Sequence, residues 1–251
     1  MRLMARGSRL WYAARVSLLM FVALATVSYL DVALRRSDTS VRRAVIIDPL
    51  YTADPGCHDE MASLLEGRGY RVDSFRGEEV TVERLRKMGA YRVVVLRVHS
   101  TCNHGMVWLF TGEKYSPDKY VLEQLADEVH KARPSLEEEH VFAVGSDFVR
   151  HFMEDRFSGA LVVLMGCDGL TGTDLAEAFV EEGASAYVSW DGPVSLEHTD
   201  EAFLCLLEAM TVQRLTLGEA VGYANDLVGA DPDYNSTIAF YPAASAGARI
   251  G

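Results

Sequence analysis

The fold is decided by the stretch Val93-Val94-Val95-Leu96-Arg97-Val98-His99-Ser100 and by its counterpart Ala160-Leu161-Val162-Val163-Leu164-Met165-Gly166-Cys167-Asp168-Gly169. Each is an apolar run of the kind found in strands that are buried on both faces of a parallel sheet. Each delivers one reactive side chain, His99 or Cys167, at the end of its strand. Because open α/β proteins place their sites at the carboxyl ends of parallel strands, the two stretches predict a functional site at one edge of the sheet.

Further strands alternate with helices along the chain. Strands are predicted over residues 44–47, 71–75 and 184–190, and helices over 60–68, 82–88 and 173–182; two amphipathic helices and an edge strand over 235–241 follow. Between the two decisive stretches we expect a hairpin over residues 106–113, a helix over 120–131 and a strand over 141–144. This alternation predicts right-handed crossovers and a mostly parallel sheet in an α/β domain.

The start of the chain differs in composition from the rest. We expect a short basic tail over residues 1–15, a transmembrane anchor over 16–34, a linker over 35–43 and the α/β domain over 44–251. As a helix, residues 16–34 reach about 28 Å, close to the thickness of a bilayer core. Arginines flank both ends of this segment, so the positive-inside rule does not fix its orientation. We expect a single-pass membrane protein, and we expect its C-terminal domain outside the cytoplasm from the position of the segment in the chain alone. The alternatives are a cleaved signal peptide ending near Ala23-Leu24-Ala25 and a soluble amphipathic leader.

The charge balance beyond the leader is strongly acidic. Six of the 24 Lys and Arg and one of the 36 Asp and Glu precede residue 37, so residues 37–251 carry 18 basic and 35 acidic side chains. A domain this negative repels phosphate backbones, which argues against nucleic acid as a partner. A peptide or protein substrate, basic peptides in particular, fits the charge better.

His99 and Cys167 are a candidate pair for nucleophilic catalysis. A cysteine attacks as the thiolate, and a neighbouring histidine either removes its proton or stabilises its charge. If their two strands are adjacent, the strand ends lie about 5 Å apart, within reach of both side chains. Gly166 and Gly169 leave room for a tight strand-to-helix turn whose amides face a substrate carbonyl. We expect the histidine to lower the pKa of the thiol.

A series of short motifs accompanies this pair. After the strand ending in His99 and the Cys-x-Gly of residues 167–169 come Ala178-Phe179, Glu182-Gly183-Ala184, Tyr187-Val188-Ser189-Trp190, Gly192-Pro193-Val194-Ser195 and Leu217-Gly218-Glu219-Ala220-Val221. Over residues 44–228 the chain thereby resembles the caspase-like cysteine peptidases, a group that includes caspases, legumain, gingipain, clostripain, separase and the CHAT-type proteins.

The resemblance implies a three-layer sandwich with a mostly parallel central sheet and a peptidase that needs no cofactor or metal. His99 would be the general acid and base, Cys167 the nucleophile, and the amides of Ser100 and Cys167 the oxyanion hole. In this family a glycine commonly follows the histidine, and metacaspase-like members have an acidic residue where this chain has Met165. A caspase-like module that has lost activity and binds a partner through the same edge is therefore the alternative.

The resemblance also suggests where a specificity pocket would lie. The family builds this pocket from the ends of the first and fifth strands, where this chain has Asp48, Asp54 and Asp191. A carboxylate on the pocket floor would favour Lys or Arg before the scissile bond, because a desolvated carboxylate is costly until a cation pairs with it. For each of the three residues, ordinary turn chemistry is the competing interpretation.

The remaining cysteines and the large aromatic residues allow simpler interpretations. In an exported domain, Cys57 and Cys102 are expected to form a disulfide, since the loops after the first and third strands should be neighbours. A zinc-dependent hydrolase that uses His99, Cys102 and His104 is a less favoured alternative, because the ligand spacing matches no standard pattern. The large aromatic residues are expected in the core: Trp108, Phe110, Phe179 and Trp190.

Overall fold

Strands and helices alternate through most of the structure, as the sequence predicts. The computed structural model describes residues 42–251, in which ten strands and seven α-helices are present. The strands are β1 (Arg43–Asp48), β2 (Arg71–Arg76), β3 (Val93–Leu96), β4 (Ser100–Asn103), β5 (Met106–Lys114), β6 (Val129–Ala132), β7 (Val141–Val144), β8 (Leu161–Leu164), β9 (Ala186–Trp190) and β10 (Ile238–Tyr241). The helices are α1 (Pro55–Gly67), α2 (Val82–Leu85), α3 (Val121–Leu125), α4 (Ser146–Phe152), α5 (Asp174–Glu181), α6 (Leu196–Thr211) and α7 (Leu217–Val228).

Six of the strands form a mixed, mostly parallel central sheet. Their order is β2-β1-β3-β8-β9-β10. The first five run parallel, and only β10 pairs antiparallel, against β9. The two decisive stretches of the sequence, β3 and β8, are direct neighbours in the middle of this sheet. The α/β class predicted from the sequence is therefore confirmed.

Alternation of side chains along the central strands divides the apolar interior into two cores. In β1, Ala44 and Ile46 face one core, and Val45 and Ile47 face the other. Helices α1, α6 and α7 cover the first core, and α2, α4 and α5 cover the second. A parallel strand between two helix layers is apolar on both faces, which explains why the central strands read as continuous apolar runs.

A second, antiparallel sheet lies between β3 and β8 in the chain, in the order β4-β5-β7-β6. The hairpin predicted over residues 106–113 is wrong in position, because β5 runs unbroken from Met106 to Lys114. The turn falls at His104 and Gly105, whose φ angles of 51° and 80° are both positive. Two positive φ angles in succession give the twist that a tight hairpin needs.

The helix predicted over residues 120–131 is also wrong. Helix α3 covers only Val121–Leu125, and its Leu122 and Leu125 side chains are exposed. Asp127 then adopts a left-handed conformation with φ 56°, and β6 begins at Val129. Val129 is buried opposite Val144 of β7, so pairing with that strand overrides the helical pattern of the sequence.

Residues 42–251 form one unit by their contacts, close to the predicted domain of residues 44–251. No helix within this range is long and apolar enough to span a membrane. The predicted tail, the anchor over 16–34 and most of the linker lie outside the described residues.

A buried ion network joins the carboxyl ends of β1 and β3 to α6. The Arg97 side chain is fully buried and donates two hydrogen bonds of 2.7 Å to the carboxylate of Asp200 and one of 3.0 Å to Asp48. Asp48 is also 2.9 Å from Nδ1 of His58, whose Nε2 accepts a hydrogen bond from Nε of Arg76. Because an arginine can only donate, the proton of His58 lies on Nδ1 and is donated to Asp48.

We expect the Arg97→Met substitution to lower the free energy of unfolding by about 3–5 kcal/mol, since it leaves two buried carboxylates without their cation. Arg150→Met is the matched control, because Arg150 pairs with Glu181 and Asp147 at the surface, where such a pair contributes about 0–1 kcal/mol. Urea unfolding of both variants measures the difference. Equal losses in the two variants would contradict the assignment of Arg97 as the central cation of the buried network.

Candidate active site

The pairing of β3 with β8 brings His99 and Cys167 level with each other. Leu96 lies opposite Leu164 in the last paired position, and the N–H of Met165 donates to the carbonyl of Leu96 at 2.8 Å. His99 and Cys167 each follow three residues after that last pair. Parallel neighbours are about 5 Å apart, so the two residues leave the sheet side by side at its carboxyl edge.

Close contact between the two strand ends depends on Gly166. A Cβ atom at this position would lie 2.1 Å from the Ser100 hydroxyl and 2.5 Å from the carbonyl oxygen of Val98. The Ser100 hydroxyl in turn donates to the carbonyl of Cys167 at 2.6 Å. Val98 and Ser100, on either side of His99, therefore contact Gly166 and Cys167, and the Ser100 hydroxyl links the two strand ends directly.

The turn that carries Cys167 is fixed to the loop after β9. Asp168 has a left-handed conformation with φ 60°, and its N–H donates to the carbonyl of Gly192 at 2.9 Å. The thiol of Cys167 donates to the carbonyl of Val194 at 3.4 Å. These bonds hold the half-buried sulfur between two loops at the edge of the sheet.

The two expected oxyanion-hole donors are the backbone amides of Ser100 and Cys167. The N–H of Phe110 donates to the carbonyl of His99 at 2.9 Å, which makes these two residues a hydrogen-bonded pair of the second sheet. The next pair, Ser100 with Leu109, is then of the non-hydrogen-bonded type, so the N–H of Ser100 points away from β5. The N–H of Cys167 lies against its own sulfur, a contact that favours the thiolate.

The electrostatics of the pair differ from the expectation based on sequence. Burial raises the pKa of Cys167, and the carboxylates of Asp168 and Asp231 raise it further; the contact of the sulfur with its own backbone N–H only partly offsets these effects. Desolvation by nearby protein atoms lowers the pKa of His99, and Glu138 opposes this effect. The residue as a whole is exposed to solvent. At neutral pH Cys167 is therefore a thiol and His99 a neutral imidazole. The predicted lowering of the thiol pKa is wrong for this conformation.

The three candidate pocket carboxylates all have partners inside the protein. Asp48 is fully buried in the network around Arg97. Asp54 caps the start of α1 by accepting from the amides of Gly56 and Cys57. Asp191 accepts from the amide and hydroxyl of Thr237 at 2.7 and 3.0 Å. Asp54 and Asp191 thus do what ordinary turn and cap chemistry predicts.

Cys57 and Cys102 are both free thiols, and the expected disulfide between them is not formed. Cys57 packs into the core on the α1 side of the central sheet, whereas Cys102 packs against the core on the other side. For the zinc alternative, no group of three or more His, Cys, Asp or Glu side chains within residues 42–251 is arranged to hold a metal ion.

Sequence reasoning missed the ion network and the contacts made by the Ser100 hydroxyl and the Val194 carbonyl. One signal was present: Arg97 interrupts a run that is otherwise apolar, and a charge in a strand buried on both faces requires a partner. Asp48, at the end of a neighbouring strand, is a partner that this rule would find. Asp200 lies on α6, far along the chain, where nothing local marks it.

Comparison with known proteins adds no relative to this description. No protein-family model matches the chain, and no curated protein is significantly similar to it.

In the free protein, we expect alkylation of Cys167 by iodoacetamide to rise with pH to a midpoint above 9.0, the ordinary value of the thiol, because burial disfavours the thiolate. Peptide mapping by mass spectrometry gives the rate at each cysteine separately, and the Cys205→Ala variant should leave the Cys167 curve unchanged. A midpoint well below 9.0 would contradict the resting thiol and show a preformed ion pair with His99.

Proposed function

We propose that this chain is a membrane-anchored, caspase-like cysteine endopeptidase that uses His99 and Cys167 as a catalytic dyad. The observation that supports the proposal is the register of β3 and β8, by which His99 and Cys167 follow their strands at the same level of the carboxyl edge of a parallel sheet. A mostly parallel sheet between two helix layers is also what the resemblance to caspase-like peptidases implies.

The residues supply each step of acyl transfer. The neutral imidazole of His99 takes the thiol proton as the sulfur of Cys167 attacks the peptide carbonyl. The oxyanion is bound by the amides of Ser100 and Cys167. The imidazolium then protonates the leaving amine, and the acyl group stays on sulfur as a thioester. Water gives a proton to His99 as its oxygen attacks the thioester carbonyl, and the imidazolium returns that proton to the departing sulfur, which releases the acid and restores the thiol and the neutral imidazole.

Neutral partners suit this mechanism. A thiol and an imidazole that are both uncharged carry one transferable proton, and they need no ion pair before substrate arrives. The 3.4 Å hydrogen bond of the thiol to the carbonyl of Val194 must break before the proton passes to His99, so the thiol has to turn toward the imidazole for the reaction.

The membrane anchor and the side-chain preference are separate parts of the proposal. The anchor rests on the apolar residues 16–34 and their basic flanks. The preference for Lys or Arg before the scissile bond stays a prediction from the resemblance. The carboxylates of Asp48, Asp54 and Asp191, on which it depends, all have partners within the protein.

A catalytically silent binding module is the second candidate. It is favoured by the raised pKa of Cys167 and by the hydrogen bond that holds its thiol on the Val194 carbonyl. Such a module would use the same edge of the sheet to bind a peptide without cleaving it.

A panel of fluorogenic peptides that varies the residue before the scissile bond tests the proposal on the full-length protein. We expect wild type to cleave, Cys167→Ala to lose turnover, and His99→Ala to lose about 10²–10⁴-fold in rate, as expected for removal of a general base. Cys205→Ala, which removes a thiol from α6, is the control and should keep the wild-type rate. Cleavage that survives in Cys167→Ala would overturn the dyad, and binding without cleavage in wild type would favour the silent module.

A further inference from the structure

We propose that the outward face of the second sheet carries a specificity subsite that binds a bulky apolar side chain of the peptide substrate. The inference rests on the proposed peptidase function and names a recognition element for it. It depends on where the second sheet puts His99 relative to a cavity lined by aromatic residues.

His99 lies in one line with residues of three strands. It pairs with Phe110 of β5, Phe110 lies opposite Ala143 of β7, and Ala143 lies opposite His130 of β6. Laterally paired residues of a sheet share a face, so all four side chains are on the same side. The alternate residues, including Leu109, Phe142 and Val144, point into the core. The face that begins at His99 is therefore the outward one.

A cavity of about 360 Å³ opens on this face. Ala143, which is buried, lies on its floor, and the side chains of Met106, Trp108, Phe110 and His130 line it. Trp108 also covers Gly145, where a Cβ atom would lie 3.0 Å from the indole ring. The small side chain of Ala143 among these larger ones leaves the cavity open, and the volume of the cavity is in the range of ligand-binding pockets.

The exposure of these aromatic residues contradicts their expected place in the core. Phe179 and Trp190 are fully buried as expected, but Trp108 and Phe110 are only half-buried, and 44 % of Met106 is exposed. The inward residues of β5, Val107 and Leu109, pack in the core, whereas Trp108 and Phe110 lie on the other face of the strand. When a ligand covers apolar surface that is in contact with water, the free energy falls, which favours binding.

The chemistry of the lining selects an apolar occupant. Among the described residues that line the cavity, none is acidic, and Lys131 and Arg133 lie at its rim. A lysine or arginine side chain would enter without a counter-charge, whereas Leu, Met or Phe would contact Trp108 and Phe110. The distance from His99 to Ala143 across the sheet is two strand spacings, or about 10 Å. An extended peptide spans this distance with about three residues. The subsite thus takes a side chain about three residues from the scissile bond.

Two peptide series test the subsite, one with Leu or Phe and one with Ala at each position within four residues of the scissile bond. For full-length wild type we expect kcat/KM at one position to be about tenfold or more higher with the bulky residue. Ala143→Leu fills the floor and should remove this preference, while changing cleavage of the Ala peptide less than twofold. Ala90→Leu, the same change at an exposed position before β3, should leave both rates unchanged. Trp108→Ala removes a wall and gives a second variant with the same expected loss.

Calorimetric binding of the same peptides to the Cys167→Ala protein separates the subsite from the peptidase. If wild type cleaves but shows no preference for the bulky residue, or shows one that survives in Ala143→Leu and Trp108→Ala, the subsite is wrong and the peptidase stands. If wild type does not cleave, the peptidase is rejected. The subsite is still supported in that case if the Cys167→Ala protein binds the bulky peptide more tightly than the Ala peptide and the Ala143→Leu change abolishes this difference. Equal binding of the bulky and Ala peptides in that case overturns both.

Discussion

The register of two parallel strands is the constraint on which the candidate site depends. β3 and β8 are far apart in the chain, yet Leu96 and Leu164 end their pairing at the same level. Gly166 lets the two strand ends continue in contact, since any side chain there would overlap Ser100 and Val98. His99 and Cys167 follow their strands at the same level because the register of the sheet puts their backbones there. A shift of one residue in either strand would turn one of the two side chains to the opposite face of the sheet.

The buried ion network lies at the same carboxyl edge of the central sheet. Arg97 lies two residues before His99 and connects β3 to β1 through Asp48 and to α6 through Asp200. Burying these charges is costly, and apolar residues of similar volume would often stabilise a protein as well or better. The fixed geometry of a bidentate arginine does limit how the strand ends can move, which is useful for a site that needs two side chains held in place.

Much of this arrangement was predictable from sequence, and the failures have physical causes. Apolar runs identified the central strands, because burial on both faces leaves few positions for polar residues. The helix predicted over residues 120–131 failed because Val129 gains more from pairing with β7 than from continuing a helix with an exposed apolar stripe. The sequence predicts Trp108 and Phe110 in the core because residue type alone does not distinguish the two faces of a short antiparallel sheet. The pairing of Arg97 with Asp200 is a tertiary contact that no local pattern reports.

The adjacency of imidazole and thiol can be measured without any substrate. Iodoacetate converts the Cys167 thiol to a carboxymethyl group and so places a negative charge at the sulfur, and the titration of His99 can be followed by NMR before and after. Cys167→Ala protein treated in the same way controls for reaction at other cysteines. If the two side chains are neighbours, the new carboxylate favours the imidazolium and moves the His99 midpoint to higher pH in wild type alone. A His99 titration that is the same before and after modification of Cys167 would contradict the dyad.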